Sequence, residues 1–124
     1  MRIFVYGTLL DTTALARRAG QPGQPGLAAR PRPALLAGYR RVTLRLSRYP
    51  TLRRDLAHVT DGAVLDITAA AYRRLAAYEG PRYRLRRLRV GTLAGSRMAP
   101  RLAPSLAWVW IAAGATRRDW PPPG

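Results

Sequence analysis

The only glutamate of the chain, Glu79, closes an apolar helical stretch, and the strand-like run IFVYGTLL, Ile3 to Leu10, opens the sequence. In AAAYRRLAAYE, Tyr72, Leu75, Ala76 and Glu79 fall at i, i+3, i+4 and i+7, so the carboxyl shares the inward face, while Arg73, Arg74 and Ala77 lie elsewhere. A carboxylate in the last turn meets the negative end of the helix macrodipole, and burial beside Leu75 and Tyr72 adds a desolvation cost. Both raise its pKa. A carboxyl tuned toward neutrality can take up and return a proton, as a general acid/base must. The competing reading is an ordinary ion pair with one of the many arginines, since structural pairs also perturb carboxylates.

The second element is Val5-Tyr6-Gly7-Thr8-Leu9-Leu10. A glycine at the end of a buried strand lets backbone approach a ligand closely, and the amides after it can point at a carboxylate or a developing oxyanion. Thr8 adds a hydroxyl. A plain strand-to-helix turn would use the same residues, so the hexamer alone leaves both readings open. Taken together, a buried carboxylate facing a glycine-opened strand end suits proton transfer on a small substrate. Other chemistry lacks material: His58 is the only histidine, there is no cysteine, and no lysine exists to complete a phosphate-binding loop. His58 reads as a solvent-exposed turn residue.

These residues need elements to hold them. Ile3 to Tyr6 reads as a buried central strand ending at Gly7. Asp11 or Thr12 can cap a short helix that Gly20 stops, and the Pro/Gly-dense segment from Gly20 to Pro33 reads as a loop, with Gln21 to Gly26 open to use as a lid. Leu35 to Leu46 alternates as a strand or hairpin arm, Tyr49-Pro50 marks a turn or edge, and Asp61-Gly62 signals a turn before a strand from Ala63 to Ile67. Thr68 caps the helix that carries Glu79, and Gly80-Pro81 ends it. Tyr83 to Leu93 and Leu106 to Ala112 read as further strands, the first with an arginine-heavy exposed side and Tyr83 and Leu85 packed inward. RRDWPPPG, Arg117 to Gly124, reads as an extended or disordered tail. The expected class is α+β, a small mixed β-barrel or strongly curved sheet with two or more short helices around it, as a single domain over 1–118 with a Pro-rich tail over 119–124.

The formal charge is +16, and all 22 basic residues are arginine. A basic excess attracts polyanions, so nucleic acid is a possible partner, yet Arg, Ala, Gly and Pro all have G/C-rich codons and a G/C-rich genome gives the same bias without selection for binding. That second cause is favoured, and a positive field equally favours a small anionic substrate. The run RYRLRRLR, Arg82 to Arg89, is the segment that would contact phosphates. No apolar run reaches a membrane-spanning length and the first residues lack a secretory pattern, which points to a soluble cytoplasmic protein; oligomeric state is left open.

The residues that carry a family likeness are Tyr6-Gly7-Thr8-Leu9, then Gly38-Tyr39, Tyr49-Pro50 and Gly62-Ala63-Val64, then Leu75-Ala76-Ala77-Tyr78-Glu79-Gly80 and Tyr83. In order and approximate spacing this set resembles the gamma-glutamylcyclotransferase-like family, whose signatures are a strand ending in Y-G-S/T-L and a glutamate in an L-D-x-aromatic-E-G segment. The likeness spans Met1 to the region of Trp120 and is specific as a set. It implies a small mixed α/β barrel whose cavity holds a gamma-glutamyl group, gripped by Tyr6, Gly7, Thr8 and Leu9 with Tyr83 beside them. It further implies that Glu79 is the catalytic proton shuttle in the release of 5-oxoproline, with neither metal nor cofactor. A non-catalytic member of the fold, binding nucleic acid or an acidic partner through its arginines, is the alternative. The sequence departs from the family pattern at Ala76, where aspartate is common, and at Trp110, where tyrosine is common.

Overall fold

The computed structural model describes residues 1–10, 31–96 and 98–122, and all six strands belong to one sheet. In chain order the elements are β1 (Arg2–Val5), a 3-10 turn (Thr8–Leu10), β2 (Arg32–Leu44), β3 (Pro50–Asp66), helix α1 (Ala69–Glu79), β4 (Tyr83–Ser96), β5 (Ala99–Ala112) and β6 (Ala115–Asp119). The sheet order is β3-β1-β5-β4-β2-β6, and β2 also pairs with β3. The pairings from β3 through β1, β5, β4 and β2 therefore return to β3, a course that demands strong curvature. The sheet is mixed, as expected: β1 runs parallel to β5 and antiparallel to β3.

β1 is short and apolar because both of its faces are covered. Ile3 and Val5 enter a core shared with Leu65, Ala71, Leu75 and Trp110, whereas Phe4 and Tyr6 enter a second core with Leu36, Tyr39, Leu52, Val64 and Val109. Period-two alternation along four residues thus joins two cores across one strand. Helix α1 lies over the first of them. Thr68 is extended and its Oγ1 accepts the Ala71 amide at 3.1 Å, while Gly80, at φ 81°, closes the helix by donating to the Ala76 carbonyl at 3.1 Å. A side chain at Gly80 would be strained, so the sequence stops the helix directly after Glu79. Ala71 and Leu75 are fully buried, with Tyr72, Ala76 and Glu79 flanking them.

Several expectations need correction. Among the described residues there is one α-helix rather than two or more; the expected helix ending at Gly20, and Gln21 to Gly26, lie outside them. Arg32 and Pro33, expected in a loop, begin β2 and pair with Val64 and Ala63. Asp61-Gly62 forms no turn but sits inside β3, because β1 crosses there: a Cβ on Gly62 would meet the Val5 carbonyl oxygen and stand 2.6 Å from the Phe4 ring. His58 is likewise in β3, where residues 55–58 stand opposite Gly38 alone in an irregular stretch of the β2–β3 ladder. Of the segment read as extended or disordered, Arg117 to Asp119 are extended as the end of β6, which pairs Asp119 with Val42. Trp120 then donates its backbone amide to Arg41 and its Nε1 to the Arg48 carbonyl at 2.8 Å.

The close approach at Gly62 makes a direct test. Gly62→Ala should cost about 1–3 kcal/mol, the usual scale for overpacking a filled site. Urea unfolding measures it, and an unchanged midpoint would show that β1 does not press on β3 there.

Candidate active site

β1 delivers Tyr6 and Gly7 to the rim of a cavity of about 140 Å³, and α1 delivers Glu79 to the same space. Leu9, from the turn after β1, and Tyr83, from the start of β4, also line it. The structure therefore brings together Tyr6, Gly7, Leu9, Glu79 and Tyr83; the Thr8 side chain lies outside the described part. Gly7 is required by contact: a Cβ there would stand 2.7 Å from Cγ of Pro50, the first residue of β3. Among the described residues the amides of Gly7, Thr8 and Leu9 find no acceptor, whereas the Leu10 amide donates to the Gly7 carbonyl at 2.9 Å. Among the described residues, three donors without an acceptor thus follow one another along the strand exit.

The two inner tyrosines are held by backbone. Tyr6 OH donates to the Trp110 carbonyl at 2.5 Å, and Tyr83 OH donates to the Pro50 carbonyl at 2.6 Å. Burial pushes the Tyr83 phenol up to about 12, with Glu79 adding to the effect, and drives Tyr6 well above its ordinary value, with Tyr83 and Glu79 contributing. Both remain neutral hydroxyls. Because each proton is spent on a carbonyl, the remaining lone pairs make the two oxygens acceptors for a donor in the cavity.

Glu79 differs from every other described acid. Asp66 pairs with Arg2 at 3.2 Å, Asp61 with Arg41 at 3.3 Å and Asp119 with Arg40 at 2.6 Å, and Asp55 lies 3.8 Å from Arg40 and 3.5 Å from His58. Glu79 forms no ion pair among the described residues. Burial raises its carboxyl from 4.5 to about 7. The ordinary ion pair considered for it is therefore not made with any described arginine. The exposed arginines of β4, including Arg84, Arg86 and Arg89, lie outside this cavity's lining, while Arg87 covers the Trp108 ring at 5.8 Å.

Sequence reasoning missed part of the wall. Tyr49 and Pro50 close one side and Tyr78 another, although local pattern marks Tyr49-Pro50 only as a turn or edge and the family likeness assigns it no place in the cavity. Thr51, fully buried, ties β3 to β5 by donating to the Ala112 carbonyl at 2.9 Å and accepting the Ala112 amide at 3.0 Å. Nothing local signals a partner so distant in the chain. Trp110 contributes its carbonyl to Tyr6 and stacks its ring on Tyr72 of α1, 6.2 Å apart and 9° from parallel. The ring thus supports the helix that holds Glu79, and Ala76 packs into the same core.

A sequence model described as gamma-glutamyl cyclotransferase, AIG2-like, matches residues 3–123. The chain belongs to this family. Solved structures share its fold: a gamma-glutamyl cyclotransferase at 15% identity and TM-score 0.71, covering 94% of this chain and 68% of that one. An AIG2-like protein from Mus musculus aligns at 20% identity and TM-score 0.69, over 94% of this chain and 79% of its own. An Arabidopsis thaliana protein solved in solution reaches TM-score 0.72 at 19% identity, over 99% of this chain and 68% of its own. No curated protein matches by sequence. Among the described residues no helix is long and apolar enough to cross a membrane.

The Glu79 environment has a thermodynamic signature. Its folded pKa of about 7 lies above the ordinary 4.5, so the protonated form favours folding; that contribution is complete below 4.5 and lost as pH rises through 7. Glu79→Gln removes the cost of the buried charge. It should therefore stabilise the protein by about 3 kcal/mol at pH 8 and by steadily less toward pH 5, in thermal unfolding followed across that range. Equal effects at both ends would place the carboxylate in water.

Proposed function

We propose that the chain is a cyclotransferase that releases 5-oxoproline from a gamma-glutamyl amine, amino acid or peptide, with Glu79 as general base and then general acid. The observation that carries this reading is the lone glutamate, unpaired among the described residues and raised to about 7, in a small cavity opposite the β1 exit. An engineered cavity of about 150 Å³ takes up benzene, so a space of about 140 Å³ accepts a group of glutamyl scale and excludes a folded peptide. Family membership and the folds of gamma-glutamyl cyclotransferases agree with it.

The gamma-glutamyl group carries an ammonium and a carboxylate on one carbon, and the site offers a complement to each. The Gly7, Thr8 and Leu9 amides are donors for the alpha-carboxylate or for the oxyanion that grows on the gamma-carbonyl. The Glu79 carboxylate and the Tyr6 and Tyr83 oxygens are acceptors for the alpha-ammonium. Glu79 takes one proton from that ammonium, and the freed amine attacks the gamma-carbonyl carbon to form the ring C–N bond. As the tetrahedral intermediate collapses, the old C–N bond breaks, Glu79 returns its proton to the departing nitrogen, and the ring nitrogen gives up its second proton to the same amine. The products are 5-oxoproline and the released amine as its ammonium, and no water is consumed. One carboxyl can serve both steps because its pKa sits near the working pH.

Incubation of the protein with a panel of gamma-glutamyl compounds, followed by mass analysis, should detect 5-oxoproline. Glutamate, heavier by one water, would indicate hydrolysis or transfer instead. Glu79→Gln should lower turnover by about two to four orders of magnitude while the protein stays folded, and an unchanged rate would end the assignment. In the native protein kcat/KM should fall tenfold per pH unit below about 7, because the base must be ionised in the free enzyme.

A further inference from the structure

Resting on the cyclotransferase reading, we infer that the site selects leaving groups that carry a carboxylate, gamma-glutamyl amino acids or peptides rather than simple amines, and that Arg48 is the residue that recognises it. The cavity mouth includes Tyr49, 38% exposed, and Tyr78, which adjoins Glu79 in sequence. Arg48 lies outside the lining itself but against Tyr49 at its edge. Its Nη2 donates to Tyr49 OH at 3.2 Å and its guanidinium carbon lies 5.2 Å from the Tyr49 ring centre. Tyr78 lies within electrostatic reach of it.

Arg48 is exposed and forms no ion pair among the described residues, and the aspartates at 55, 61, 66 and 119 are all engaged elsewhere. An unpaired surface arginine ordinarily wanders in solvent and recognises nothing. This one rises from a clamped turn between β2 and β3. The Leu44 amide donates to the Tyr49 carbonyl and the Arg45 amide to the Gly114 carbonyl, both at 2.8 Å. Arg82 donates to the Arg45 carbonyl at 2.9 Å, Trp120 donates to the Arg48 carbonyl at 2.8 Å, and Ser47 Oγ accepts the Tyr49 amide at 2.9 Å. Hydrogen bonds from Arg82 just before β4, Trp120 just after β6 and Gly114 between β5 and β6 therefore hold the backbone under Arg48, and its head rests on Tyr49. A fixed guanidinium fork at the mouth suits a carboxylate that protrudes from the cavity once the glutamyl group is seated.

The test compares gamma-glutamylalanine with gamma-glutamylalaninamide, which differ only in the charge of the leaving group. Both kcat/KM and equilibrium binding to the Glu79→Gln protein are measured, each with and without Arg48→Gln. The preference for the acid should be about ten-fold, the worth of one charge-assisted hydrogen bond, should shrink as salt rises, and should fall to about one in Arg48→Gln. Equal use of the two compounds by the native protein, or a preference that survives Arg48→Gln, overturns the inference. Selective binding that depends on Arg48, without release of 5-oxoproline, sustains it and removes the proposed reaction. Absence of binding by both compounds removes both.

Discussion

In a chain with 22 arginines, a carboxyl remains free to trade protons near neutrality only where no guanidinium pairs with it, and among the described residues none pairs with Glu79. An adjacent arginine holds a carboxylate ionised and lowers its pKa, as Asp66 beside Arg2 and Asp119 beside Arg40 show. Glu79 is surrounded instead by phenols, Pro50 and the strand exit. Desolvation then sets its behaviour, and its place at the C-terminal end of α1 acts in the same direction.

That isolation depends on β1. Its odd residues anchor α1 through the first core, while Phe4 and Tyr6 look into the second, so the strand that supplies the donor amides also fixes the height of the helix that supplies the carboxyl. Hydrogen bonds to backbone complete the assembly. Tyr6 reaches the β5 carbonyl of Trp110, Tyr83 reaches the β3 carbonyl of Pro50, and Thr51 bonds both ways with Ala112. Four strands and a helix end thereby converge on one small space, held by bonds that involve no charged group. A site built this way tolerates the arginine-rich surface around it.

The parts legible in the sequence were those governed by near neighbours. Thr68 as cap, Gly80 as stop and the spacing that turns Glu79 inward all depend on residues within one or two turns, and α1 occupies the residues they enclose. The apolar run of β1 was equally plain, because burial on both faces leaves no alternation to misread. Asp61-Gly62 misled for a non-local reason: its glycine answers the pressure of Phe4 and Val5 from another strand, not the demand of a turn. β6 escaped notice because pairing with β2 and the Arg40–Asp119 contact, rather than a strong strand pattern, hold ATRRD extended. The wall formed by Tyr49 and Pro50 depends on how the β2–β3 turn folds over the β1 exit, and the family likeness alone linked that dipeptide to Glu79.

The single glutamate allows a decisive experiment, since carboxyl 13C labelling of glutamate marks one group in the whole protein. Followed by NMR as pH is varied, the Glu79 resonance should titrate with a midpoint near 7. A midpoint at or below the ordinary 4.5 would mean that water or an arginine reaches the carboxyl, and would contradict the account.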